Sequence, residues 1–167
     1  MNSARSLSEP HFASMAFDDI SAPDYADVIL EPIPRELVDD DSDSRTWARR
    51  VFSIRSAPAW VVALMGLRQL LVGLAGIPRG TPDQFRVKAI RGDEALLSVD
   101  DPHLSFRAAV GVDHQRRLLR VTTVVRLNGW RGRIYFAPVS ILHPVILRAM
   151  MRRALRNAAS RRKPQLD

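Results

Sequence analysis

The chain has 167 residues, 46% of them hydrophobic and 26% charged, the profile of one soluble globular unit that buries a core without staples. It contains no cysteine, which excludes disulfide scaffolds, thiol nucleophiles and cysteine-ligated metals, and its four histidines (His11, His103, His114, His143) lack metal-ligand spacing. The net charge of +7 hides a split, because residues 1–44 hold eleven acids against two bases and the remainder seven acids against twenty-three bases. Mutual neutralisation within the chain is the first reading of that asymmetry, and a basic surface for an anionic membrane or nucleic acid is the alternative.

Residues 1–23 lack a basic start followed by an apolar core, so they read as a flexible tail and the cytoplasm is the expected compartment. A single domain is expected over 24–158, followed by a flexible basic tail over 159–167. Tyr25, Val28, Ile29 and Leu30 form a short strand that Pro32 and Pro34 end. The acidic run from Asp39 to Asp43 lacks the glycine and distal glutamate of a calcium loop, and reads as a linker in which Asp43 or Ser44 caps the next helix. Trp47, Val51 and Ile54 then recur at spacings of four and three, one face of a helix over Arg45 to Arg55. Pro58 opens a second helical stretch. The segment Ala57 to Ile77 is the most hydrophobic part of the chain and is long enough to span a bilayer. Its Arg68 and its glycines Gly66, Gly73 and Gly76 favour helices packed on a sheet instead.

After the turn Pro78 to Pro82 the period changes to two. Phe85, Val87 and Ala89 alternate with basic residues, Gly92-Asp93 marks a hairpin, and Ala95 to Val99 returns. In the strongest strand, His103 to Val112, one face is Leu104, Phe106, Ala108, Val110 and Val112. A turn at Asp113 to Arg116 leads to Leu119, Val121, Thr123, Val125 and Leu127. Such strands in succession imply an antiparallel meander with one covered face. The cover is an amphipathic helix from Val145, with Ile146, Leu147, Met150, Met151 and Ala154 on one side and Arg148, Arg152, Arg153 and Arg156 on the other. The expected class is α+β.

The order of an N-terminal strand, helices, a meander and a long final helix is similar to the helix-grip fold of the START and polyketide-cyclase superfamily. More narrowly, the chain resembles the bacterial domain-of-unknown-function family 2867 in five motifs. These are Asp24-Tyr25-Ala26-Asp27, Trp47-Ala48-Arg49, Pro58-Ala59-Trp60-Val61 with Leu67-Arg68, His103-Leu104-Ser105-Phe106-Arg107, and Gly132-Arg133-Ile134-Tyr135 with His143. Ile141-Leu142 precedes His143 where the family often has Pro-Phe, and the proline here is Pro144. The resemblance implies an antiparallel sheet curved around a long C-terminal helix. Members also occur fused behind dinucleotide-binding domains, but no glycine-rich strand-turn-helix signature stands here, so no cofactor is expected.

The helical wheel sets His143 near the face of Leu147 and Met150, whereas Pro144 as a first helical residue would make His143 a cap outside the helix. Arg107 is expected to pair across strands at the surface. No G-x-S-x-G or S-x-x-K occurs, and the acid pairs Asp93-Glu94 and Asp100-Asp101 fall in predicted turns, so catalytic residues and metal ligands are not assigned. The expected function is noncatalytic binding of an apolar small molecule or lipid between sheet and final helix. Its expected lining is Trp47, Trp60, Phe106, Thr123, Tyr135, His143, Met150 and Met151. The alternative is a peripheral membrane protein using the arginine-rich C-terminus and residues 57–77. Nucleic-acid binding lacks a helix-turn-helix pattern and a stacking platform.

Overall fold

The computed structural model describes residues 14–37, 40, 42–63 and 86–162. Most of the apolar segment 57–77, the turn at 78–82, Phe85 and the last five residues of the expected basic tail lie outside the described residues. Five strands, β1 (Tyr25–Pro32), β2 (Val87–Arg91), β3 (Glu94–Asp101), β4 (Leu104–Asp113) and β5 (Leu118–Leu127), form one antiparallel sheet in the order β1-β5-β4-β3-β2. Helix α1 (Ser44–Val51) and a helical stretch at 59–63 lie between β1 and β2 in sequence, and helix α2 (Gly129–Arg162) follows β5. The class is α+β, as the pattern of periods implies.

The strands form where apolar and polar residues alternate, and their register stacks like residues in rows across the sheet. Val110, Val121 and Ile29 make one row, Ala108, Thr123 and Asp27 the next, and Phe106, Val125 and Tyr25 the third. This face meets Trp47, Ala48 and Val51 of α1 and Leu147, Met151, Ala154, Leu155 and Ala158 of α2 in the main core. Each of the larger aliphatic side chains contributes about 1.5–3 kcal/mol on burial, so this layer supplies most of the folding drive. Helix α1 starts where Asp43 caps it, its carboxylate accepting from Thr46 N at 2.8 Å.

Helix α2 lies along β1, and charge sets its position. Glu31, only 5% exposed, accepts Arg152 Nε through both oxygens at 3.0 Å and lies 3.4 Å from Arg148 Nε. Four residues back on the same face, Asp27 meets His143. Four strand residues span about 13 Å and nine helical residues, from His143 to Arg152, about 13.5 Å, so both contacts form together.

Three expectations are corrected. Helix α2 begins at Gly129 rather than near Val145, with Pro138 and Pro144 inside it, so His143 is a helical residue and not an external cap. Each proline removes one N–H, but the carbonyls left without that partner, those of Ile134 and Ser140, lie outside the core where water serves. The same helix continues through Arg162 because Ala158 and Ala159 pack on the core, which removes residues 159–162 from the expected tail. At the other end, residues 14–20 do not form the loose stretch expected up to residue 23. Met15, Ala16 and Ile20 pack on Ala109 and Val124, covering the outer face of the sheet.

Charge fastens that N-terminal cover. Buried Glu94 accepts from Ser14 Oγ (3.1 Å) and Met15 N (2.8 Å) and pairs with Arg120 at 2.7 Å. Arg107, expected at the surface, is 7% exposed and holds Asp19 at 2.6 Å and Asp100 at 2.9 Å. Asp18 pairs with Arg91, Asp24 with Arg133 and Asp40 with Arg50. The acidic first quarter of the chain thus neutralises bases of the sheet and helices.

One close approach locks the start of α2. A Cβ at Gly132 would stand 2.3 Å from the His103 carbonyl oxygen, which also accepts from Asn128 N at 2.7 Å. Gly132→Ala should therefore lower stability by about 1–3 kcal/mol, the usual range for overpacking. Urea denaturation measures it, and an unchanged midpoint would show that α2 does not begin against the β3–β4 turn.

Candidate functional site

Alternation along β1 turns Tyr25 and Asp27 toward α2, the first next to Val125 and the second next to Thr123 on β5. From α2, Phe136 and His143 reach the same place because residues seven apart, about two turns, share a helix face. The Tyr25 hydroxyl donates to Asp27 Oδ2 at 2.7 Å, and His143 Nδ1 stands 3.1 Å from that oxygen. The Tyr25 ring meets Phe136 edge-on at 5.2 Å and the imidazole at 5.9 Å. Thr123 adds a hydroxyl beside this trio whose interaction favours the Asp27 carboxylate, although Asp27 Oδ1 and Thr123 Oγ1, both buried, make no hydrogen bond of standard geometry. A polar group of three is therefore set into an apolar interface with acceptor capacity left over.

Burial works against the charged form of Asp27, but the bonds from His143, Tyr25 and Thr123 outweigh it and hold the carboxyl below its ordinary range. Burial, and the bond to that carboxylate, push Tyr25 far above the ordinary tyrosine value. At neutral pH the trio thus contains an ionised Asp27 and a protonated Tyr25. A carboxylate accepts only, so a neutral His143 must carry its proton on Nδ1, leaving Nε2 with a lone pair. Among the described residues Nε2 makes no hydrogen bond, and the side chain is 18% exposed, within reach of a solute.

The structure brings together only part of the expected lining. Thr123 and His143 meet at Asp27, and Phe106 belongs to the row that ends at Tyr25. Met150 lies one face-turn along α2 in a small apolar cluster with Ala57, Val61 and Ile146, and Trp60, 47% exposed, stands beside Val61 in the chain. Trp47 and Met151 are fully buried in the main core, Trp47 with the Arg50 guanidinium 4.7 Å above its ring. Tyr135 is a helical residue of α2 whose side chain lies outside the described residues. An open groove of about 430 Å³ on the opposite face of the sheet, lined in part by Val28, Leu30, Gly111 and Arg120, is unconnected with these residues.

Tyr25 and Asp27 stand in the first of the five motifs but were not among the expected site residues, and Phe136 carried no signal in the sequence. The signal available was two carboxylates and a tyrosine on the same parity of a strand as Ile29. Among the described residues no group of three or more His, Asp or Glu is arranged for a metal ion.

The model of a family described as "Protein of unknown function (DUF2867)" matches residues 22–150, which takes in Tyr25, Asp27, Thr123 and His143. No curated protein and no solved structure matches the chain.

Because the Asp27 carboxyl is depressed in the folded state, its stabilisation is complete above the unfolded carboxylate range and is lost as pH falls through the lower folded value, below about pH 4. Asp27→Asn should lower stability at pH 7 by about 1–2 kcal/mol. It should also lose less than the wild type between pH 6 and pH 3. Urea titrations at both pH values measure this, and equal acid losses would contradict the ionised assignment.

Proposed function

The chain belongs to the DUF2867 family, and from that premise we propose that it binds a small molecule with an apolar body between the sheet and the first half of α2. The trio Tyr25, Asp27 and His143 is its polar end. The observation that carries this reading is the partly exposed His143 imidazole, whose Nε2 makes no hydrogen bond among the described residues, beside a buried carboxylate and hydroxyl that have only each other and the trio as partners. Leaving polar groups unmatched inside an interface costs about 1–3 kcal/mol each, which a ligand group recovers. The element order, with β1 paired to the last strand and one long helix across the sheet, supports a helix-grip reading in which such a molecule is held between sheet and helix. Phe106, Phe136 and Met150 supply apolar contact, and Trp60 forms the rim. Because Trp47 and Met151 already fill the core, they take no part in binding.

A fluorescence titration with the uncharged probe N-phenylnaphthylamine tests this. Saturable one-to-one binding, weakened about tenfold by Met150→Trp with little change in denaturation midpoint, is the expected result. A wild type that binds no probe would overturn the reading.

A second reading has its own observation. Trp130, Ile134, Ile141 and Val145 of α2 are 57–75% exposed, and Gly132–Arg161 is by length and composition apolar enough to cross a membrane. These residues, with the exposed Arg153 and Arg156, suit association with an anionic membrane surface. Sedimentation with vesicles separates the two readings. Pelleting with anionic but not neutral lipid, in the absence of probe binding, favours the membrane.

A further inference from the structure

The donors and acceptors of the trio are unequally used, and the imbalance defines what fits. Tyr25 spends its only proton on Asp27 Oδ2, and His143 Nδ1–H points to the same oxygen. The Thr123 hydroxyl adds its proton to the Asp27 carboxylate, so what remains is acceptor capacity: the Nε2 lone pair of a neutral His143 and the spare lone pairs of the buried Asp27 and Thr123 oxygens. An acceptor-rich site calls for a donor. A carboxylate ligand would bring a second negative charge next to Asp27, which like-charge repulsion disfavours. An ammonium ligand would have to lose its hydration among apolar side chains, with Arg133 and Arg148 along the same helix. An uncharged hydroxyl avoids both penalties, and the more acidic it is, the stronger the bond it donates to the Nε2 lone pair of a neutral imidazole.

We propose that the site selects apolar molecules carrying a weakly acidic hydroxyl, of the phenol class, and that His143 Nε2 is the atom that accepts it. Asp27 acts as a positioning residue by fixing the tautomer, and Tyr25 holds Asp27 in place. The inference rests on the binding reading above and adds its chemical selectivity.

The test compares three probes of one shape: naphthol, its methyl ether, which keeps the apolar body and loses the donor, and naphthoate, which carries the anion. On the wild type, naphthol should bind about tenfold more tightly than the ether, with naphthoate weakest. In His143→Phe the preference for naphthol should vanish while the ether still binds. In His143→Gln, whose amide oxygen can stand near the former Nε2, part of the preference should return. If His143→Phe fails to fold, Asp27→Asn gives the second arm, because loss of the tautomer lock should shrink the preference in a folded protein. Equal binding of naphthol and ether to the wild type would overturn the selectivity and leave the binding reading intact. A preference that survives His143→Phe would overturn the assignment of the acceptor. Binding of none of the three would instead contradict the binding reading itself.

Discussion

Two carboxylates on one edge strand, Asp27 and Glu31, determine where the longest helix of the molecule lies. A buried carboxylate without partners costs several kcal/mol, so β1 can occupy its place only if α2 brings His143, Arg148 and Arg152 to it. Both arginines are about half exposed, which limits the net stabilisation of each pair, so the larger effect is on register. A slip of β1 by one residue would turn Val28 and Leu30 toward the helix and carry both carboxylates to the other face, leaving His143, Arg148 and Arg152 of α2 without their acceptors. The candidate site exists because the same contact that docks the helix delivers an imidazole to the sheet.

The uneven charge of the chain has a corresponding architectural sense. The acids before residue 45 are distributed to both faces of the sheet: Asp27 and Glu31 toward α2, Asp18 and Asp19 toward bases on the outer face. Glu94 and Arg107 are buried under residues 14–20, so the outer layer is held by a few charge-assisted bonds around a small apolar contact of Met15, Ala16 and Ile20. The main core on the opposite face is larger and depends on apolar area.

Legibility in the sequence followed the apolar pattern. Strands β3 to β5 and the second half of α2 announce themselves because one parity or one helix face is consistently apolar. The first half of α2 was hidden by Pro138 and Pro144, which argue locally against a helix that packing and the close approach at Gly132 nonetheless hold. His143 was legible as a residue on the Leu147 and Met150 face, but its partner was not, since a count of apolar residues on β1 gives no weight to Asp27. Trp47 and Met151 illustrate the reverse: composition marks an interior side chain but does not distinguish a filled core from the wall of a binding site. Arg107 was assigned to the surface because a charged residue on a strand usually is there, and the N-terminal segment that buries it carried no periodic signal.

The fold and the candidate site both depend on charge setting the register of β1 against α2. A double-mutant cycle on Glu31→Gln and Arg152→Met, read by urea denaturation at pH 7, measures it without disturbing the trio. The account predicts a coupling energy of about 1 kcal/mol between the two substitutions, the exposure of Arg152 keeping it at the low end for neighbours. Additive effects, within about 0.5 kcal/mol, would contradict it.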